Sequence, residues 1–129
     1  MAARVLRWEG ARRARVDLAL VSPMAMRRLN RRATGRRGLT DVLAFTLPQP
    51  DGAILGDIYI CPAAASAFVK SAPAARAADR LHEELVRLAV HGTLHVLGYD
   101  HPDGSGRMRS AMWRRQERYV RRLMGRRPA

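Results

Sequence analysis

Large apolar residues alternate with smaller or polar ones along three short segments, which predicts three β-strands. The first covers residues 16–21, where the larger aliphatic side chains fall at every second position. The other two cover residues 42–47 and 54–61 and flank the turn-forming segment 48–52, where proline fixes φ and glycine permits positive φ. These last two strands are therefore expected to pair as antiparallel neighbours.

Proline, glycine and serine mark the ends of the first predicted helices. Ser22 and Pro23 are typical of a helix N-cap and first helical position, and they predict a short helix over residues 24–30. Residues 31–39 are polar, contain two glycines and are interpreted as a loop. Pro62 starts a small alanine-rich helix.

A longer helix is predicted over residues 76–97. From Leu85 onward it is apolar around most of its circumference, so it is expected to be central and buried, and Gly98 ends it. A last helix is predicted from residue 107 to about Met124. Its apolar face consists of Met108, Met112, Tyr119, Val120 and Leu123.

Three of the four histidines fall within eleven residues, in the pattern His-x-x-x-His-x-x-Gly-x-x-His. His91 and His95 are four apart on the predicted helix and so about 40° apart around its axis, on one face. Gly98 ends the helix, and a turn through Asp100 can bring His101 back to the same point. Three neutral imidazoles suit zinc and leave a fourth position for water, as in catalytic sites, although other divalent transition metals also accept them. Water bound there can lose a proton near neutral pH and attack an electrophile.

The remaining histidine and the single cysteine are not expected in this site. His82 lies nine residues before His91, about 180° away around the helix. Cys61 follows an apolar run and is interpreted as a small buried thiol. A lone cysteine excludes an internal disulfide and suits a reducing compartment, which indicates the cytoplasm.

The charge of the chain favours a polyanionic partner. The 129 residues carry 24 basic and 11 acidic side chains, a formal net charge of +13, and Lys70 is the only lysine. Because guanidinium groups bind phosphate in a bidentate fork, nucleic acid is the leading partner class. An arginine-rich but ordinary solvated surface is the alternative. No apolar run approaches the roughly 18 residues that span a bilayer, and the length suits one domain.

The histidine spacing equals that of the metzincin peptidases, whose signature is His-Glu-x-x-His-x-x-Gly-x-x-His. Here Gly92 stands where those enzymes have the glutamate that acts as general base. Loss of a general base costs roughly 10²- to 10⁴-fold in rate. A metallopeptidase is therefore a disfavoured alternative.

The stretch His-Gly-Thr-Leu-His-Val-Leu-Gly-Tyr-Asp-His over residues 91–101 closely resembles the signature of the YbeY family, metal-dependent endoribonucleases of ribosomal RNA maturation. The resemblance extends over roughly residues 16–123. Its further support comes from Leu29-Asn30, from residues 40–45 and 56–60, and from Met112 with Gln116-Glu117, in the family's order.

This resemblance implies a fold, a site and an activity. The fold would be a single compact α+β domain over residues 1–129, with a small mixed β-sheet flanked by helices and a zincin-like metal helix packed against it. His91, His95 and His101 would hold one Zn²⁺. The activity would be hydrolysis of single-stranded RNA in ribosomal RNA maturation and ribosome quality control, with ribosomal RNA precursors and the small ribosomal subunit as partners.

The chain departs from the family pattern in two places. The family has Tyr-Arg shortly after its Leu-Asn pair, where this chain has Ala33-Thr34, so Arg32 or Arg36 is expected to contact the RNA phosphate instead. The chain also begins without most of the family's first strand and helix. Residues 1–15 are interpreted as part of the domain or as a frayed end. An exposed sheet edge or an altered N-terminal packing is expected.

Asp100 is the candidate catalytic residue beside the histidines. Its place next to His101 suits a carboxylate that orients a ligand histidine or accepts a proton from bound water. A turn-forming aspartate is the alternative.

Two functions from different classes follow from these observations. The leading hypothesis is a metal-assisted endoribonuclease whose arginines in the segment 27–37 hold the RNA backbone. The alternative is a ribosome-associated RNA-binding factor with a structural metal site and weak or no nuclease activity. The missing family arginine and the high positive charge motivate this alternative.

Overall fold

Three strands form a mixed β-sheet. The computed structural model describes residues 1–69, 74–101, 106 and 110–125. Strand β1 (Ala14–Leu20) runs parallel to β3 (Ile54–Ile60), and β2 (Val42–Pro48) pairs with the other side of β3 in the antiparallel sense. The sheet order is β1-β3-β2. The three predicted strands and the antiparallel pairing of the last two are confirmed.

Helices pack against this sheet and complete the α+β fold that the family resemblance implied. Among the described residues, no helix is long and apolar enough to cross a bilayer. The helices are α1 (Ala2–Trp8), α2 (Pro23–Thr34), α3 (Pro62–Ser66) with a 3₁₀ turn at Ala67–Val69, α4 (Ala74–Val96) and α5 (Ala111–Leu123).

Helix α2 is longer than predicted. The expected loop was wrong over residues 31–34, which continue the helix by another turn. The Thr34 hydroxyl donates a 2.8 Å hydrogen bond to the carbonyl of Asn30, one turn earlier. Gly35 then ends the helix with φ of 71°, a left-handed conformation that glycine adopts without strain. Residues 31–34 are all exposed and mostly polar, so their composition resembles that of a loop although they are helical.

The last helix begins at Ala111 in the described part of the chain. The side chain of Ser110 accepts a 3.1 Å hydrogen bond from the amide of Trp113, which is the contact of an N-cap. The predicted first turn from residue 107, with Met108 on its apolar face, lies outside the described residues. The rest of the predicted apolar face is buried or half-buried.

Helix α4 lies between the sheet and the helices α1 and α5, as its all-round apolar sequence predicted. Its side toward the sheet packs Leu88, Ala89 and Val96 against Ile58 and Ile60 of β3. Its opposite side forms a second cluster, which consists of Val86, Val90 and Leu94 with Val5 of α1 and Met112, Tyr119 and Val120 of α5. Two separate apolar clusters therefore fix the helix that carries His91 and His95.

The N-terminal residues belong to the domain. Val5 and Leu6 of α1 are buried, so the interpretation of this segment as part of the domain is confirmed over α1. β1 follows at the edge of the sheet, beside β3. Leu18 and Leu20 of this edge strand are 39% and 62% exposed, which agrees with the expected open edge.

Candidate metal centre

Three histidine rings converge where α4 ends. His91 and His95 project from the last turns of α4, and their ring centroids are 4.5 Å apart. Gly98, with φ of 99°, turns the chain out of the helix, and its amide donates to the His95 carbonyl at 3.0 Å. The ring of His101 comes to 5.1 Å from each of the other two. Helical spacing and one glycine thus bring together the three residues that the sequence pattern singled out.

The hydrogen bonds of the rings show which nitrogen atoms face the common point. Nδ1 of His95 lies 3.0 Å from the carbonyl oxygen of Tyr99. A carbonyl only accepts, so this nitrogen carries the proton and Nε2 keeps its lone pair. Nε2 of His95 is 3.3 Å from Nε2 of His101.

These distances fit a single metal ion. One ligand atom from each of the three histidines can be chosen so that all lie within 4.8 Å of one another. Two imidazole nitrogens that bind one ion tetrahedrally at about 2.0–2.1 Å are about 3.3–3.4 Å apart. The 3.3 Å separation of the His95 and His101 nitrogens is that value. The three side chains could therefore hold a divalent ion without a large rearrangement.

Burial is uneven around the three rings. His91 is only 6% exposed, whereas His95 and His101 are half-buried. The cluster is therefore buried at His91 and partly accessible to solvent at His95 and His101. Three protein ligands with an open side are the arrangement of a catalytic rather than a structural zinc site.

Position 92 faces the sheet and has no room for a side chain. A Cβ atom built on Gly92 would lie 2.9 Å from Cγ2 and 3.0 Å from Cδ1 of Ile58, a residue with no exposed surface. A glutamate there would have to displace the buried side chain of Ile58. The chain therefore has neither the general base of a metzincin peptidase nor space for it at that position, and the peptidase alternative finds no support.

The two residues that were not expected in this site lie outside the cluster. His82 is exposed on the N-terminal half of α4 and is not part of the histidine group. Cys61 is a free thiol with no exposed surface, as expected for a core residue.

Asp100 forms a turn beside the cluster. Its Oδ1 atom accepts a 2.8 Å hydrogen bond from the backbone amide of His101, and the residue is exposed. This contact fixes the backbone that carries the third histidine. The turn-forming role is therefore present, whereas the proton-accepting role remains a prediction.

Arg32 and Arg36 are both exposed near the C-terminal end of α2. Arg32 lies in the last turn of the helix rather than in a loop. The amide of Arg36 donates a 3.1 Å hydrogen bond to the hydroxyl of Thr34, the residue that occupies the place of the family arginine. Thr34 therefore orders the start of the segment that presents Arg36.

Gln116 and Glu117 of α5 lie directly behind the cluster, and sequence reasoning assigned them no role. Oε1 of Gln116 is 2.7 Å from Nδ1 of His91, although Gln116 lies on the apolar face of α5 and is only 1% exposed. A polar residue at helical spacing within an apolar face was the signal that could have found it.

A carboxylate–guanidinium pair continues this contact. Arg87 donates to Glu117 from Nε and from Nη2, both at 2.9 Å. Burial raises the pKa of Glu117, but the hydrogen bonds from Arg87 and Gln116 and the charge of Arg87 outweigh it and hold the pKa below its ordinary value. The hydrogen bonds from Arg87 to Glu117 and the charge of that carboxylate also raise the pKa of Arg87.

Glu9, the single acid of the N-terminal segment, ties α1 to α5. It accepts hydrogen bonds from the hydroxyl of Tyr119 and, at 2.9 Å, from Arg115. Burial raises the pKa of Glu9, but hydrogen bonds from Tyr119, Tyr99 and Arg115 lower it further than burial raises it. Since the carbonyl of Tyr99 also holds His95, α1 is linked to the turn that carries the cluster.

Comparison with known proteins identifies the family. The family model described as Endoribonuclease YbeY matches residues 2–124. A protein of that name from Thermotoga sp. (strain RQ2) is 33% identical over 110 residues, which are 85% of this chain and 68% of the relative. Its namesake in Mycolicibacterium smegmatis is 38% identical over 101 residues, which are 70% of this chain and 54% of the relative.

A solved structure agrees with these matches. The solution structure of a Thermotoga maritima protein superimposes with a TM-score of 0.62 at 31% identity, and the match covers 95% of this chain and 75% of that one. The family match spans both α4 with its histidines and α5 behind it. The chain therefore belongs to the Endoribonuclease YbeY family.

Proposed function

We propose that this protein is a metal-dependent endoribonuclease that hydrolyses single-stranded RNA in ribosomal RNA maturation and ribosome quality control. One observation carries the proposal: three histidine side chains converge at metal-binding distances, with an open side, in a chain of the Endoribonuclease YbeY family. Relatives bear the name endoribonuclease. The excess of 24 basic over 11 acidic residues suits a polyanionic substrate.

The proposed ligands are His91, His95 and His101, and the proposed ion is Zn²⁺. Three imidazoles and the 3.3 Å separation of two of their nitrogens support zinc, and other divalent transition metals suit the same donors. Such an ion would supply a Lewis acid and a bound water of lowered pKa. The buried ring of His91 fixes one side of this centre, and the half-buried rings of His95 and His101 border the side that RNA approaches.

Asp100 is the proposed proton acceptor of the reaction. It is an exposed carboxylate adjacent in sequence to His101, and among the described residues its hydrogen bond is the one that Oδ1 accepts from the amide of that histidine. Its second oxygen can therefore take a proton while the turn stays intact. The hydrogen bond to His101 would hold the carboxylate in place as the charge changes.

The proposed substrates are ribosomal RNA precursors, and the proposed setting is the small ribosomal subunit in the cytoplasm. Hydrolysis of a phosphodiester requires the RNA backbone to be held against the centre, and exposed arginines at the end of α2 are suited to bind its phosphates. Cys61, a buried free thiol, is compatible with a reducing compartment.

Metal removal tests the proposed function. The purified protein should contain about one zinc per chain and cleave single-stranded RNA, and a chelator should reduce cleavage to the background without protein. Added Zn²⁺ should restore it. Elemental analysis and a gel-based cleavage assay measure both quantities. Cleavage that persists without metal contradicts the proposal, and salt-sensitive RNA binding without any product would favour the binding factor instead.

Loss of Arg32 and Arg36 should weaken RNA binding more than it slows the chemical step. In Arg32→Ala/Arg36→Ala, KM for single-stranded RNA should rise and kcat should change little, because phosphate contacts position the substrate. The slope of log K against log salt should become shallower by about 1.4, since each phosphate contact to a single strand contributes about 0.7. Binding titrations at several salt concentrations measure it.

Arg13→Ala is the matched control. Arg13 is also an exposed arginine, but it precedes β1 in the sequence, whereas α2 follows that strand. It forms an ion pair with Asp51 at 2.9 Å. Its loss should leave the salt slope unchanged. If RNA sensed only total charge, Arg13→Ala would instead make the slope shallower by about 0.7, half the change in the double variant.

A further inference from the structure

Behind His91, a chain of hydrogen bonds leaves α4, passes through α5 and returns to α4. Nδ1 of His91 meets Oε1 of Gln116 at 2.7 Å, and Nε2 of Gln116 donates to Oε2 of Glu117 at 3.1 Å. Glu117 accepts two hydrogen bonds of 2.9 Å from Arg87, which lies one helical turn before His91. A further oxygen, from Glu84, accepts from Nη1 of Arg87 at 2.9 Å.

The chemistry of each partner determines which atom donates and which accepts in each of these hydrogen bonds. A carboxylate only accepts hydrogen bonds, so the end of the Gln116 amide that faces Glu117 must be the NH₂ group. The other end, Oε1, then faces His91, and it also only accepts. Nδ1 of His91 must therefore carry the ring proton, which leaves the lone pair of the neutral ring on Nε2.

The shape of the pocket cannot set this orientation. The oxygen and the NH₂ group of a glutamine amide are nearly equal in size, so packing around Gln116 accepts either orientation. In the described part of the structure, the carboxylate of Glu117 distinguishes them, because it accepts hydrogen bonds and cannot donate one. Arg87 holds that carboxylate with two parallel hydrogen bonds, which fixes both its position and its ionised form.

We propose that Glu117, held by Arg87, is a positioning residue that sets the proton of His91 on Nδ1 through Gln116. The ring then presents Nε2 to the metal. This inference rests on the proposed metal centre but not on the identity of the RNA substrate. It assigns a role at the centre to an ion pair that reaches His91 through Gln116.

The variant Glu117→Gln tests whether the carboxylate of Glu117 sets the donors and acceptors along these hydrogen bonds. A glutamine at 117 can donate as well as accept, so the Gln116 amide is free to turn and present its NH₂ group to His91. We expect metal-free protein to gain a population of His91 with the proton on Nε2, visible in the ¹⁵N shifts of the ring by NMR. Affinity for Zn²⁺ should fall roughly 10- to 100-fold, the usual effect of losing an outer partner of a ligand histidine.

Exchanging the two side chains should restore the site. In Gln116→Glu/Glu117→Gln the total charge is unchanged, and the carboxylate at 116 has no donor end to turn toward His91. The Nδ1 proton and most of the zinc affinity should return. If Glu117 supported the site only as a partner for Arg87, the exchange would not restore the zinc affinity, because the carboxylate beside Arg87 is still missing.

Glu84→Gln is the matched control, since Glu84 contacts Arg87 but has no hydrogen bond to Gln116. Its zinc affinity should stay within about twofold of the wild type, well inside the 10-fold lower limit expected for an outer partner. If Glu117→Gln does not fold, Gln116→Met leaves the Arg87 pair intact and should show the same loss of the Nδ1 proton and of affinity. An unchanged His91 tautomer in both variants overturns the proposal.

The two proposals can fail separately. A wild-type protein that binds zinc but cleaves no RNA would remove the proposed endoribonuclease activity. The proton of His91 in metal-free protein would still decide the role of Glu117, because that NMR measurement needs neither RNA nor metal.

Discussion

Replacing His95 with alanine is expected to abolish both zinc binding and RNA cleavage. Nε2 of His95 lies 3.3 Å from that of His101, and its Nδ1 is held by the carbonyl of Tyr99, so the variant loses one of the three proposed metal ligands. Removal of the ligand itself should reduce zinc affinity by more than the roughly 10- to 100-fold that follows loss of an outer partner. Cleavage should fall to the background level, as measured with single-stranded RNA at saturating zinc.

His82→Ala is the matched control for this experiment. His82 is on the same helix but is exposed and outside the histidine cluster. Its loss should leave metal content and cleavage unchanged. RNA binding by His95→Ala should persist, because the phosphate contacts come from arginines elsewhere. Cleavage that survives in His95→Ala would remove these histidines from the reaction.

Introducing the metzincin glutamate, Gly92→Glu, should destabilise the protein instead of creating a peptidase. The new side chain would enter the contact between α4 and β3, where even a Cβ atom would lie 2.9 Å from Ile58. Overpacking and an unpaired buried carboxylate together should cost at least about 3 kcal/mol. The corresponding fall in Tm is on the order of 10 °C for a domain of this size, and thermal unfolding measures it.

Two further variants serve as controls for Gly92→Glu. Gly92→Ala introduces only the Cβ atom and should lie between the wild type and Gly92→Glu in Tm. Ala78→Glu places a glutamate on an exposed position of the same helix and should change stability by less than about 0.5 kcal/mol. If Gly92→Glu kept the wild-type Tm and hydrolysed peptides, position 92 would face the metal and not the sheet.

The sequence predicted the parts of the molecule that depend on local periodicity. The strands, the burial of α4 and the shared face of His91 and His95 follow from repeats of two residues or of about 3.6. Gly98 added the turn that returns His101 to this face. These features depend on residues that are close in the sequence, so they can be predicted from the sequence alone.

The end of α2 and the surroundings of His91 needed the tertiary structure. The last turn of α2 is held by the hydroxyl of Thr34 and ended by Gly35, and its polar side chains have the composition of a loop. Gln116 lies 25 positions from His91, and no local pattern pairs them. Glu9 and Tyr119 form a hydrogen bond although they are 110 positions apart in the sequence.

The contact between α4 and β3 rests on glycine at two points. Gly92 of the helix faces Ile58, and Gly56 of the strand faces Val96, whose Cγ1 atom would lie 2.4 Å from a Cβ at position 56. At both points a side chain packs directly against backbone, so helix and sheet approach closely there. During evolution, changes of core volume would have to be accommodated on the side of α4 that faces α1 and α5. The sheet side would act as a fixed reference plane for the two helical histidines.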